Sequence, residues 1–316
     1  MLAKYRITMD KSARMILLLV TLSTISYGIA GVIAYKGIKA MPLYAFILVY
    51  GIGLVIGLFL TTLAFGMRFR IPIKDYSIGL IAALFIAVEL FTLFYSYKHY
   101  DLAGIYPFIA LSTLFFLGID IAVYRRRLPR KMVSVLLFGV LLIIVGTFVT
   151  GSSGLVFNVS LLPIIMLLAI AGGLGDYLLF YKPKRYTLGS KMLSDVLVFL
   201  LFGTIISALH PSGFGTMAGV GYALLAGILG VVGTFLDVHA IDIYKRVGIV
   251  NNVAERNFIN DFAYMDTVLV LIGSVVIGSF TLQEVAGGIA IIMGVFVLDR
   301  AKGMHMGRNR NGNRRK

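Results

Sequence analysis

Ten stretches of roughly twenty apolar residues, set apart by short polar breaks, constrain this chain more than any motif in it. A hydrocarbon core about 30 Å thick takes about 20 helical residues to cross. Lipid offers backbone N–H and C=O groups no partner but one another, so each stretch reads as a helix. The spans run roughly 14–34, 43–66, 77–97, 103–123, 132–150, 160–181, 192–209, 216–238, 253–279 and 283–300. Pro42, Pro72, Pro129, Pro183 and Pro211 fall between them, and Pro107 and Pro163 fall in first turns, where a missing N–H costs least. The opening segment follows Lys4, Arg6, Lys11 and Arg14 like a signal peptide. Its apolar run is too long for one, and nine more spans follow, so it is expected to stay as the first helix.

Composition agrees. Of 316 residues 59% are hydrophobic and 14% charged, where a soluble domain carries about a quarter charged. Disordered, coiled-coil and disulfide-rich classes are excluded by the same figures. The absence of Cys removes disulfides, thiolate catalysis and Cys-based metal sites. Without Trp, the interfacial belt must come from Tyr and Phe, and Tyr95, Tyr97, Tyr100 and Tyr106 are expected to form part of it.

The net charge of +15 invites a nucleic-acid reading until the charges are placed. Alternating the spans puts Lys36, Lys39 and Lys98 on one side and the other 26 of the 29 Lys and Arg on the opposite side. Cytoplasmic loops collect Lys and Arg, so both termini are expected in the cytoplasm, with no nucleic-acid partner. The expected location is the plasma membrane, crossed many times. The basic tail, 301–316, is expected to be disordered and solvated.

Two stretches match across the chain. One helix carries Gly139 and Gly146 after the polar turn Arg127-Leu-Pro-Arg-Lys, and another carries Gly287 and Gly294 after Thr281-Leu-Gln-Glu. Splitting at Gly151-Ser-Ser-Gly154 gives five helices in 1–150 and five in 151–300. An odd number of spans inserts the second copy upside down, which yields an inverted repeat, as in secondary transporters. The expected fold class is therefore an all-α polytopic membrane protein, ten transmembrane helices as two inverted five-helix repeats. The fifth and tenth helices, free of ionisable residues over most of their length, are expected at the periphery.

The run Ala103-Gly-Ile-Tyr-Pro107 to Gly118-Ile-Asp120, followed by a basic turn and then Gly139 and Gly146, resembles the fourth and fifth helices of EamA-type repeats. That family belongs to the drug/metabolite transporter superfamily, with the nucleotide-sugar and triose-phosphate translocators. The resemblance spans Met15 to Val297, mostly through helix count, repeat length and glycine placement. It departs at Asp120, where the family favours Glu, and in the second half, where Glu255 and Arg256 stand near the expected Pro. It implies a carrier whose ninth helix begins with substrate contacts, often basic ones.

Ionisable groups inside spans cost about 2.5–3.5 kcal/mol each, so each wants a reason. Glu89, past the middle of the third segment, shares a face with Ala82 and Ser96. It reads equally as a structural carboxyl hydrogen-bonded across helices or as a functional one, either the candidate for proton coupling or a counter-charge for a cationic substrate group, since a carboxyl in apolar surroundings can exchange its charge for a proton. Asp176, after Gly172-Gly173-Leu-Gly175, and Asp195, beside Ser194, read as structural acids near the cytoplasmic face, with a cavity role as the alternative. Asp266 of the ninth segment, with Glu89 one of the two most deeply placed acids, is a further coupling or cavity candidate, and before it comes the densest polar cluster, Asn251, Asn252, Glu255, Arg256 and Asn257. Unpaired N–H groups at a helix start and the planar fork of Arg suit a carboxylate, phosphate or carbonyl. These residues are the expected substrate contacts, with a capped helix as the bland alternative. Asp237, His239 and Asp242 close the eighth segment; the i, i+3 spacing of His239 and Asp242 would permit a metal pair, but so few ligands arise by chance and Asp242 with Lys245 and Arg246 reads better as a surface ion pair, so no metal is expected. Gly53-Leu-Val-Ile-Gly57 and Ala290-Ile-Ile-Met-Gly294 read as internal packing, though a homodimer remains an allowed assembly.

No P-loop, nucleophile elbow or zincin motif occurs. The chain is expected to be no enzyme, to need no cofactor, and to move a small polar or amphipathic metabolite across the bilayer by alternating access. A membrane-embedded lipid-processing enzyme or a non-transporting scaffold is the alternative.

Overall fold

The computed structural model describes residues 11–67, 69, 76–112, 115, 119, 130–151, 161–181, 188–247, 265–278, 280–294, 296 and 297. Among the described residues the regular structure is helical, with no strand. In chain order the helices are α1 (Lys11–Ala40), α2 (Leu43–Phe65), α3 (Tyr76–His99) and the short α4 (Leu102–Ile105), which runs into a 3-10 turn, Tyr106–Leu111. Then come α5 (Arg130–Gly151), α6 (Leu161–Tyr181), α7 (Leu188–Leu209), α8 (Met217–Val247), α9 (Met265–Val276) and α10 (Leu282–Gly294).

Five of these helices are long and apolar enough to cross a bilayer: 14–40, 43–65, 77–99, 192–209 and 217–240, with mean hydropathy from 1.9 to 2.5. The chain is thus a helical, membrane-embedded protein. Leucine and phenylalanine side chains such as Phe59, Leu63, Leu201 and Leu209 point outward unpaired with protein, as a lipid-facing surface requires. α1 outruns the expected span by six residues and ends at Ala40. The fourth segment begins as one α turn that tightens to 3-10 geometry at Pro107, whose ring removes a hydrogen-bond donor there.

Helices of the first half pack against helices of the second. α1 lies along α8, α2 along α8 and α7, and α3 along α6 and α7, while α9 covers another side of α1. Small residues make these approaches close. Cβ atoms built on Gly53 and Gly57 would stand 3.0 Å from the α8 backbone at Leu224 and Ile228, so that small-xxx-small pattern is an intramolecular seam. Ser23 Oγ and Ser26 Oγ donate to the carbonyls of Gly233 and Leu229, at 2.9 and 2.7 Å, stitching α1 to α8.

α5 and α10 meet through their paired glycines. A Cβ on Gly146 would come within 2.6 Å of the Gly287 carbonyl oxygen, and one on Gly294 within 2.6 Å of the Gly139 oxygen. Ile291 and Ile143 flank the two contacts in the same reciprocal way. On their other faces Leu137, Phe138, Leu141, Ile289 and Met293 are exposed, which fits a peripheral pair. α10 opens with a capping box: Thr281 N–H donates to Glu284 Oε2 at 2.7 Å, and Glu284 N–H donates to Thr281 Oγ1 at 3.2 Å. α2 stops at Gly66, whose left-handed φ of 60° suits a residue without Cβ and whose N–H donates to Thr62 O.

Lys39 and Lys98 hold helix ends together. Lys98 Nζ donates to the carbonyls of Ile38 and Met41 at 3.0 and 3.2 Å, and Lys39 Nζ donates to Lys98 O at 3.3 Å. A cation on the last carbonyls of a helix meets the negative end of its dipole, so the C-terminal ends of α1 and α3 are clasped.

Candidate functional site

A cavity of 360 Å³ lies at the centre of the helices, walled by α1, α2, α3, α7 and α8 and by Ile109 and Ser112 beyond α4. Its size falls within the range of small-molecule sites. Three carboxylates reach it: Glu89 from α3, Asp195 from α7 and Asp237 from α8. No Lys, Arg or His lines it among the described residues.

Local packing sets each acid in place. Gly172 of α6 lies directly against the Glu89 carboxyl, and a Cβ there would overlap it and crowd Ser112. One turn on, Gly175 receives Ile86. The glycines before Asp176 thus serve the close approach expected of them, with α3 as the partner. Ala82 and Ser96, expected on the Glu89 face, are both fully buried, and Ser96 Oγ donates to Thr92 O at 2.7 Å. Ser194 beside Asp195 is buried and donates to Ser190 O at 3.0 Å. Near Asp237, Tyr27 OH donates to Thr234 Oγ1 at 2.9 Å, and Thr234 Oγ1 donates back to Gly230 O at 3.0 Å. A Gly at 230 leaves room for the Tyr50 hydroxyl, which a Cβ would meet at 2.8 Å.

Aromatic rings pack one end of the cavity. Tyr50 stands edge-on to Phe94 and Phe199, with centroids 4.8 and 5.4 Å apart, and Phe94 is edge-on to Phe46 at 5.1 Å. Tyr97 meets Phe94 at 6.3 Å and Tyr35 at 5.8 Å. These rings cluster towards the C-terminal ends of α1 and α3, the end that Lys98 clasps. Tyr35 OH donates to Asp101 Oδ1 at 3.2 Å on the same side.

The acids expected from sequence divide three ways. Glu89 and Asp195 both line the cavity. Asp176 belongs to α6 and Asp266 to α9, and their side chains lie outside the described residues. Asn251, Asn252, Glu255, Arg256 and Asn257 also lie outside them. Asp237 was expected at a charged helix end, yet α8 runs on to Val247, which draws Asp237 ten residues inside the helix and onto the cavity. Tyr97 was expected in the interfacial belt, but it is fully buried on the cavity wall, while Tyr95 is partly exposed. His239 stacks on Phe235 at 5.7 Å.

No protein-family model matches the sequence, and no curated protein matches it either. Nine chains of known structure do match. One of them, described only as the crystal structure of a protein, superposes with a TM-score of 0.58 at 19% identity. The match covers 92% of this chain and 99% of that one, a likeness of overall fold.

Proposed function

We propose that the chain is a secondary transporter that moves a small polar or amphipathic metabolite by alternating access, without altering it chemically. The observation that carries this reading is the cavity: a carboxylate-bearing chamber at the centre of a membrane-embedded bundle, walled by helices from both halves. An ionisable group inside a membrane bundle costs free energy to hold there, which makes it a functional-site candidate.

The proposed architecture is ten spans as two inverted five-helix halves, 1–150 and 151–300, with both termini cytoplasmic in the plasma membrane, and it resembles EamA-type carriers. The reciprocal glycine contacts of α5 and α10 support the repeat, since adding 148 to Gly139, Ile143 and Gly146 gives Gly287, Ile291 and Gly294. Glu89 keeps its part as the candidate for proton coupling, and Arg256 with Asn251, Asn252 and Asn257 keeps its part as the contact for a carbonyl-bearing or anionic end.

The test is counterflow in sealed vesicles over a metabolite panel, with Arg256→Lys compared against the loop change Arg126→Lys. A transporter gives saturable exchange, and Arg256→Lys impairs it far more than Arg126→Lys does. Turnover of a lipid in detergent with no vesicle exchange refutes the transport reading, and reporter fusions that place 151–159 in the cytoplasm refute the topology.

A further inference from the structure

We infer that the group the substrate places in the chamber is a cation, met by the repeat-related carboxylates Glu89 and Asp237; this rests on the transporter reading above. The interval of 148 residues that relates the α5 and α10 glycines also carries Glu89 to Asp237, Ile86 to Thr234, and the last residue of α3, His99, to the last of α8, Val247. The packing follows the same relation. Ile86 meets Gly175 of α6, and Thr234 accepts the hydroxyl of Tyr27 of α1. The first helix of one half thus lies on the third helix of the other at both places.

The two helices run in opposite directions. The C-terminal end of α3 is clasped to the C-terminal end of α1 through Lys98, whereas the start of α8 lies against that same end, with Thr216 Oγ1 donating to Ala40 O at 3.4 Å. Glu89 and Asp237 each stand ten residues, about 15 Å, before the C-terminus of their helix. Both line the same chamber, one from each half of the chain.

The sign of the ligand follows from what else lines the chamber. The ionisable groups facing it with these two are the Asp195 carboxyl and the hydroxyls of Tyr27, Tyr50 and Tyr97, with no basic side chain among the described residues. The rings of Tyr50, Phe94 and Phe199 add π faces, which attract a cation in a desolvated place and do nothing for an anion. At 360 Å³ the chamber holds an organic amine with an apolar body rather than a bare metal ion.

Absence of Trp makes the test direct, because an indole ligand is the sole source of indole fluorescence. Tryptamine, tryptophol and indole-3-acetate share one ring system and carry a positive, zero and negative charge. The purified full-length protein is titrated with each, and wild type is compared with Glu89→Gln, Asp237→Asn and, as a control outside the cavity, Asp101→Asn. Tryptamine is expected to bind at least about tenfold tighter than either of the others, the usual worth of a hydrogen bond to a charged group. Glu89→Gln and Asp237→Asn should each cut the tryptamine-to-tryptophol ratio severalfold, while Asp101→Asn leaves it unchanged. That ratio is insensitive to general loosening of the fold, and Glu89→Asp, which keeps the charge, should retain most of it. Equal binding of the three, preference for the acid, no binding by any, or ratios unmoved by both substitutions overturns the inference. Counterflow of indole-3-acetate but not tryptamine overturns it while leaving the transporter reading intact. Selective tryptamine binding without any counterflow supports the charge assignment and removes the transport reading.

Discussion

Replacing Gly146 by Ala places a methyl group 2.6 Å from the Gly287 carbonyl oxygen and 2.8 Å from Ile291 Cγ1. Ordinary contact begins near 3.4 Å, so α5 and α10 must part by about 0.8 Å at that point. Backbone is on the receiving side, and no rotamer change relieves it. Overpacking of this kind costs about 1–3 kcal/mol, offset by the roughly 0.5–1 kcal/mol that a helix gains when Gly becomes Ala. The net loss should be up to about 2.5 kcal/mol. Gly221 of α8 supplies the control, since nothing lies within 4 Å of a Cβ built there, and Gly221→Ala should show the helix gain alone. Gly294→Ala should cost what Gly146→Ala costs, because its contacts with Gly139 O and Ile143 Cγ1, at 2.6 and 2.7 Å, mirror the first set. Once one methyl has parted the helices, the second finds part of its room made, so the double variant should lose less than the sum. Thermal unfolding in detergent, followed by circular dichroism, reads all four proteins. Strict additivity, or a loss in one single variant with none in the other, would refute the reciprocal seam.

Two further substitutions test the neighbouring arguments. Phe94→Ala removes a ring that is 2% exposed and touches four other aromatics; it should cost about 3–5 kcal/mol in the same melt, and Phe94→Leu distinctly less. Thr281→Ala breaks the capping box at the start of α10 and should cost about 1 kcal/mol, while Thr281→Ser restores nearly all of it.

What was legible in the sequence was whatever a bilayer enforces locally. Span lengths follow from hydrocarbon thickness, and Gly139, Gly146, Gly287 and Gly294 stood out because a glycine inside an apolar helix has few uses besides close approach. Glu89 was conspicuous for the same reason, as a lone carboxylate in an apolar run. Asp237 was hidden by its neighbours. With His239, Asp242, Lys245 and Arg246 following, it looked like the edge of a span, and only the continuation of α8 to Val247 places it inside. Tyr97 was misread because it stands at the end of its span, beside Lys98 and His99, where an interfacial tyrosine is also found, and it lies off the Ala82–Glu89–Ser96 face. A belt tyrosine and a cavity tyrosine have the same neighbours in sequence. The cavity itself arises from α1, α2 and α3 meeting α7 and α8, residues well over a hundred positions apart, which no local pattern encodes.

The Ser23 and Ser26 hydroxyls find their α8 carbonyl partners 210 and 203 residues further along the chain. At about 5–20 residues per second of synthesis, α1 leaves the ribosome some 10–40 s before those carbonyls exist. During that interval the two hydroxyls sit in a helix already delivered to lipid. Carbonyls of their own helix are the nearest acceptors then, a substitute that tends to bend the backbone. The segment that enters the bilayer early is consequently finished late, and its final shape waits on a helix from the other half. A ribosome stalled before Leu229 would leave α1 stranded, tolerated by the membrane on hydrophobicity but without the seam that α8 provides, and such half-made chains are the ones a membrane protease would be expected to meet.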